Sequence, residues 1–121
     1  MSPTDLQTIL ADLVGRVAGL RGAILVDHEG IPIAQASQRS GQDLEAAGAG
    51  AGLLLRETLA AAGRLGQGAV SEILLEAERA TIAMIPLKND CCLCLLLGSE
   101  AVLGRGLFEG RRAAFALDQS L

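Results

Sequence analysis

The sequence predicts an α/β (α+β) three-layer sandwich with the element order α-β-β-α-β-β-β-α and a five-stranded antiparallel sheet. Two observations support this prediction. First, three segments repeat apolar residues at helical spacing, and five shorter β-prone segments are separated by turns. Second, residues 23–27 and 91–97 are apolar at almost every position, which indicates strands covered by helices on both faces.

The first predicted elements are a helix and a hairpin. Pro3 suits the first turn of a helix, and apolar residues follow at helical spacing, so we predict a helix over about 4–17. The segment RGAILVDHEGIPIAQAS contains two β-prone runs, 22–27 and 31–37, joined by a tight turn. Gly30 stands where this turn needs a left-handed residue, so the two strands should form a hairpin.

The remaining predicted elements are a long helix, three strands and a closing helix. Residues 43–63 are rich in Ala and Leu, and the glycines of GRLGQG end this helix. Strands are predicted at 69–78, 81–88 and 91–98, and the last two form a hairpin around a polar turn. A helix over about 101–117 completes the order.

Composition excludes several classes of protein. The chain has 121 residues, half of them apolar, and is most simply one folded domain. Its net charge of −4 and its two Phe, without Trp or Tyr, disfavour nucleic-acid binding, which uses basic faces and stacking rings. The sequence shows no signal peptide and no apolar stretch of membrane-spanning length. We therefore expect a cytoplasmic protein with no nucleic-acid partner and no membrane partner.

The sequence offers no convincing catalytic site. The glycine-rich stretch AAGAGAGLLL, residues 46–55, runs into leucines and lacks the Gly-Lys-Ser/Thr of a phosphate loop. His28 is the sole histidine and lies between Asp27 and Glu29 in the predicted hairpin turn. A general base needs a shielded pocket and a substrate contact, so a solvated polar turn is the better interpretation.

The three cysteines, Cys91, Cys92 and Cys94, lie within four residues of one another. Zinc sites use four ligands, and no further CxxC pair or second histidine supplies the rest. Strand alternation directs Cys92 and Cys94 to one face and Cys91 to the other, as small core side chains. We expect no metal and no cofactor.

The strand predicted at 69–78 alternates charged and aliphatic residues. Glu72, Leu74 and Glu76 share one face, and Ile73 with the next odd-numbered residues forms the other. Exposed charges protect a sheet edge against unwanted pairing, so this segment is predicted to be an edge strand.

The glycines of the second predicted helix need a packing explanation, because each interior glycine costs about 1 kcal/mol relative to alanine. Gly48 and Gly52 are four residues apart, and Ala51, Leu55 and Leu59 lie on or beside the same stripe. Such a small-residue face lets another backbone approach closely. The domain's own sheet and the same helix of a second subunit are both possible neighbours.

The hairpin RGAILVDHEGIPIAQAS, the DLEAA start of the second helix, the ILLEAE strand and the closing helix together resemble the Roadblock/dynein-light-chain family. The resemblance covers nearly the whole chain. It implies that residues 1–121 form a single Roadblock-like domain. It implies the Roadblock/profilin-like sandwich, in which two copies pair through the second helix and the third strand. Within the family the chain resembles the bacterial, MglB-like branch.

The resemblance also implies a function. Relatives are non-enzymatic homodimers that bind and regulate small Ras-like GTPases, in the MglB-like branch by stimulating hydrolysis without an arginine finger. A structural scaffold subunit with no effect on GTP hydrolysis is the alternative. Arg56 and Arg64 are candidate contacts with the GTPase. The predicted dimer interface comprises Gly48, Ala51, Gly52, Leu55, Leu59, Glu72, Leu74 and Glu76.

Overall fold

The computed structural model of the protein describes residues 3–38 and 44–121. Its helices are α1 (Pro3–Arg16), α2 (Leu44–Leu65) and α3 (Leu103–Asp118). Its strands are β1 (Leu20–Val26), β2 (Pro32–Ser37), β3 (Ile73–Glu76), β4 (Ala80–Pro86) and β5 (Cys92–Gly98). The predicted α-β-β-α-β-β-β-α order is confirmed, while Asp43, the predicted first residue of the second helix, lies outside the described residues.

The five strands form one sheet in the order β2-β1-β5-β4-β3, and each neighbouring pair is antiparallel. The first hairpin turns at Gly30, whose φ of +82° confirms the predicted left-handed residue. Because β1 and β5 lie inside the sheet, their continuous apolar sequences are buried on both faces. The third strand lies at the edge, as predicted.

The helices divide between the two faces of the sheet. α1 and α3 cover one face together, and α2 alone covers the other. The side chains of β5 alternate accordingly. Leu93 and Leu95 pack under α1 and α3, whereas Cys92 and Cys94 pack under α2, and Cys91 belongs to the first face. The predicted burial and alternation of the three cysteines is confirmed.

The largest difference from the predicted elements is the length of the third strand. Only Ile73–Glu76 of the predicted 69–78 segment forms β3. Gly66 and Gly68 precede it with φ of +64° and +94°, which suit a turn rather than a strand. At its other end the backbone N–H of Ala77 donates to the carbonyl of Ala80 at 2.8 Å, so the chain already turns into β4.

None of the helices in the described part of the chain combines the length and the apolar composition that a membrane span requires.

Candidate interaction surface around the second helix

The glycine stripe of α2 faces the protein's own sheet. A Cβ atom on Gly48 would lie 2.8 Å from Cγ1 of Val26 and 3.1 Å from Cδ1 of Ile24. A Cβ atom on Gly52 would lie 3.3 Å from Cα of Gly30, in the hairpin turn. Between the two alternatives that the sequence leaves open, the structure therefore assigns these glycines to the contact within the domain.

Neighbours of the glycines on α2 are also buried within the domain. Ala51 and Leu55 are 6% and 5% exposed, and Leu59 packs against the same apolar cluster. Four of the predicted interface residues, Gly48, Ala51, Gly52 and Leu55, thus have almost no surface to offer a second subunit. The exposed surface of α2 lies on its other side.

The opposite side of α2 is exposed and carries mostly small and apolar residues, with Glu57 among them. Leu53 is 56% exposed and Leu54 is 40% exposed. A Cβ atom added at Gly50 would meet no atom within 4 Å. Together with the exposed Ala60 and Ala61, these residues form what we call the α2 outer face. Its position follows from the glycines, because a residue five places after Gly48 lies about 140° away around a helix with 3.6 residues per turn.

Beside α2, part of the sheet has no helix over it. A helix is about 10 Å wide with its side chains, whereas five strands about 5 Å apart span about 20 Å. On the α2 face, Ile73, Ile82 and Leu96 are only partly buried, and Leu75 is 45% exposed. Cross-strand pairing places Leu75 opposite Ile82 and Ile82 opposite Leu96. These four residues form an apolar patch that continues to the sheet edge, here called the uncovered strip.

Glu72, Leu74 and Glu76 were predicted to share one face, and alternation along β3 puts them on the face opposite to the uncovered strip. Leu74 lies opposite Ala83, which packs under α1 and α3. Nε of Arg111, on α3, donates to Oε2 of Glu72 at 2.9 Å. This hydrogen bond lowers the pKa of Glu72 below its usual range. Glu72 therefore ties the start of β3 to α3 within the chain.

The two candidate arginines, Arg56 and Arg64, are both exposed on α2. Neither forms an ion pair with another residue in the described ranges. Arg56 also lines a cavity of about 280 Å³, which opens between α2 and the ends of the central strands and includes His28, Leu59 and Leu87. Both guanidinium groups are thus free to contact an acidic partner.

The turn that carries His28 is organised by Asp27. Oδ1 of Asp27 accepts hydrogen bonds from the backbone N–H groups of Ile31, at 3.0 Å, and Glu29, at 2.8 Å. These two bonds, that of Ile31 first, lower the pKa of Asp27. His28 is exposed and its Nε2 lies 3.3 Å from Oε1 of Glu29. Asp27 therefore closes the turn and does not orient the imidazole, which supports the polar-turn interpretation.

Comparisons with known protein families agree with the fold. Residues 6–97 match the family model of the Roadblock/LC7 domain. A search of curated proteins finds no significant match.

Several solved structures share the fold. Myxococcus xanthus MglB superposes with a TM-score of 0.87 at 17% identity, covering 98% of this chain and 88% of that one. The gliding protein MglB of Thermus thermophilus gives 0.86 at 23% identity, with 98% and 90% covered. A Roadblock/LC7 domain from Streptomyces avermitilis gives 0.85 at 20% identity, with 94% and 95% covered. These superpositions confirm the predicted Roadblock/profilin-like fold.

Proposed function

The chain belongs to the Roadblock/LC7 domain family, and we propose that it is a non-enzymatic, homodimeric adaptor of the MglB-like kind that binds and regulates a small Ras-like GTPase. Family membership and the likeness in fold to two MglB proteins support this proposal. The observation that carries it is the exposed apolar surface formed by the α2 outer face and the uncovered strip.

A second copy of the chain fits this surface well. In a twofold dimer each patch meets its own copy, so the largely apolar α2 outer face, which also carries Glu57, meets the same residues of a second chain. Gly50, Ala60 and Ala61 permit close approach of two helices, and Leu53 and Leu54 supply apolar side chains for the contact. The partner's α2 would cover Ile73, Leu75, Ile82 and Leu96, which the chain's own α2 leaves partly exposed. The proposed interface is therefore shifted around α2 from the glycine stripe to the opposite side.

The proposed partner of the dimer is a Ras-like GTPase, and its regulation is conformational. Pairing two α2 helices would build a continuous platform with Arg56 and Arg64 near its borders. Binding there would hold the GTPase's own catalytic groups in the geometry that stabilises the charge of the transition state. The proposal includes no arginine finger and no GTP hydrolysis by this chain alone.

The dimer can be tested with Leu53→Glu. A carboxylate introduced twice into a twofold apolar contact should raise the dimer dissociation constant by about 100-fold or more. Sedimentation equilibrium measures this constant directly. Val102→Glu is the matched control, because Val102 is 70% exposed and lies before α3, so the variant should dimerise like the parent protein. Unchanged dimerisation of the Leu53 variant would contradict the proposed interface.

GTPase regulation can be tested with a Ras-like GTPase encoded beside this gene. The pure chain should bind the GTPase and raise its rate of GTP turnover, and Arg56→Glu should weaken both effects. Arg16→Glu is the control, since Arg16 is an exposed arginine at the end of α1, on the other face of the sheet. Binding without a change in turnover would select the alternative, a structural scaffold subunit. Absence of binding would exclude both.

A further inference from the structure

The two phenylalanines of the chain are its only aromatic residues, and both lie on the surface of α3. Phe108 is 56% exposed and Phe115 is 68% exposed. They are seven residues apart, which puts them on the same side of the helix. Exposed aromatic side chains leave a large apolar area in water, and aromatic residues are enriched in protein–protein interfaces.

Arginines surround these aromatic rings. Arg111 and Arg112 lie between the two phenylalanines on the same side of α3, and the guanidinium carbon of Arg112 lies 5.9 Å from the centre of the Phe108 ring. Arg105 lies one turn earlier. We call these five residues the α3 ridge: Arg105, Phe108, Arg111, Arg112 and Phe115.

The acids that pair with the ridge are recessed beneath it. The side chain of Glu109, which approaches Arg105 and Arg112, is only 8% exposed, and that of Glu72, which binds Arg111, is 19% exposed. The three arginine side chains are 57–60% exposed. An approaching molecule therefore meets guanidinium groups and aromatic rings, although the whole chain carries a net charge of −4.

A shallow groove runs along each flank of the ridge. One, of about 190 Å³, lies between α1 and α3 and has Ile9, Leu13 and Ala113 among its lining residues. The other, of about 380 Å³, lies between α3 and β4 and is lined in part by Ile85 and Phe115. The ridge thus offers guanidinium groups on its crest, whereas each groove combines apolar side chains with acidic ones, including Asp12 in the first groove and Asp118 in the second.

We propose that the α3 ridge binds an acidic amphipathic helix of another protein. Its carboxylates would pair with the exposed guanidinium groups, and its apolar residues would pack on Phe108 and Phe115. A second copy of this chain fits poorly, because twofold self-contact would bring the same three arginines against each other. Charge complementarity therefore favours an acidic partner.

This surface is independent of the proposed dimer. α3 and α2 lie on opposite faces of the sheet, so a contact at the α2 outer face leaves the α3 ridge exposed in both subunits. A dimer would present two such ridges. Such a dimer would link an acidic partner bound at the α3 ridge to a second protein bound at α2.

Two synthetic helical peptides of 18 residues test the proposal, both with leucine at i, i+3, i+4 and i+7, and with either glutamate or lysine at the polar positions. Fluorescence anisotropy should detect binding of the glutamate peptide at least 10-fold tighter than of the lysine peptide. Its affinity should fall as the salt concentration rises from 50 to 300 mM. Equal affinity for the two peptides, or no binding of the glutamate peptide up to 1 mM, would overturn the proposal.

Variants and other anionic probes complete this experiment. Phe108→Ala combined with Phe115→Ala should weaken glutamate-peptide binding at least 10-fold, and circular dichroism checks that the variant is folded. The single variant Phe115→Glu should give the same direction of change, whereas Leu65→Ala, an exposed leucine on α2, should have no effect. Phe-dependent binding to phosphatidylserine vesicles or to a single-stranded oligonucleotide that is stronger than binding to the peptide would refute a protein partner.

Discussion

The two faces of the sheet are covered differently, although the strands between them are the same. On the α1/α3 face two helices bury the sheet, and Leu25, Leu93 and Leu95 have no exposed surface. On the α2 face a single helix packs closely on the sheet through its glycines, and the side chains of Ile82 and Leu96 stay partly exposed. The first face is more fully covered within one chain, with Leu74 39% exposed at the β3 edge, whereas the second has a larger apolar area left over for a partner.

Side-chain size explains how α2 sits so close to the sheet. Glycines on the helix meet Val26 and Ile24, and the middle strand contributes Cys92 and Cys94 to this face in place of leucines. Burial raises the pKa of Cys92 to about 12 and that of Cys94 to about 11, which keeps both thiols protonated. Small residues thus allow a close contact at the centre of α2, at the cost of covering less of the sheet.

The largest effect is expected for a core leucine on the α1/α3 face. Leu95→Ala should lower the free energy of unfolding by about 2 to 5 kcal/mol, because it leaves a cavity between β5 and α3. Urea denaturation measures the loss. Leu75→Ala, in the uncovered strip, removes a side chain that is 45% exposed and should cost less than about 1 kcal/mol in the monomer. Equal losses would remove the distinction between the two faces.

A smaller effect is expected from the glycines of α2. Gly48→Leu should lower the free energy of unfolding by about 1 to 3 kcal/mol, because its Cβ would already lie 2.8 Å from Val26. Gly50→Ala, two residues later, meets open space and should stabilise the helix by up to about 1 kcal/mol. Thermal unfolding of both variants gives the comparison. A Gly48 variant as stable as the parent protein would contradict the inward orientation of the glycines.

A still smaller effect is expected from the ion pair that joins β3 to α3. Glu72→Gln should cost about 0.5 to 1 kcal/mol at pH 7, a modest value because Arg111 is largely exposed. Since the pKa of Glu72 is lowered in the folded state, its stabilisation is present above the unfolded pKa of about 4.3 and is lost as the pH falls through the folded pKa. The difference in the free energy of unfolding between the parent protein and the variant, measured by urea titration, should therefore be present at pH 7 and shrink at pH 3. A difference that persists at pH 3 would show that the pair does not act through charge.

The smallest effect is expected in the first hairpin turn. His28→Ala should change the free energy of unfolding by less than about 0.5 kcal/mol, because the imidazole is exposed and the turn is held by Asp27. The variant should also keep GTPase binding and any effect on turnover. Loss of GTPase binding or of the effect on turnover in a correctly folded variant would support a direct role for His28.

The order of the elements was predictable because it depends on local periodicity and turn residues. The apolar runs of β1 and β5, and the charge alternation of β3, predicted their central and edge positions in the sheet. The predicted length of β3 was wrong, because residues 69–72 form no strand and the hydrogen bond from Ala77 to Ala80 already turns the chain into β4. Pattern alone did not distinguish that irregular segment from a strand.

The candidate surface was less predictable than the fold. Sequence spacing identified the glycine stripe as a close helix contact, but Leu53 and Leu54, on the other side of α2, were missed. The sequence did contain the information needed to find Leu53. If Gly48 and Gly52 face the sheet, helical geometry places Leu53 on the exposed side of α2. That step requires knowing what the glycines meet.

The sequence by itself determined the eight elements, the burial of the central strands on both faces and the presence of the glycine stripe on the second helix. These properties are local, because the spacing of apolar residues, every 2 residues in a strand and every 3.6 in a helix, can be recognised within a short segment of the chain. The tertiary structure decided that the glycine stripe faces the chain's own sheet and that Arg111 binds Glu72, which is 39 residues away in sequence. It also decided that both phenylalanines remain exposed on the surface. Those properties depend on how each helix is rotated against distant strands, and packing of the whole chain sets that rotation.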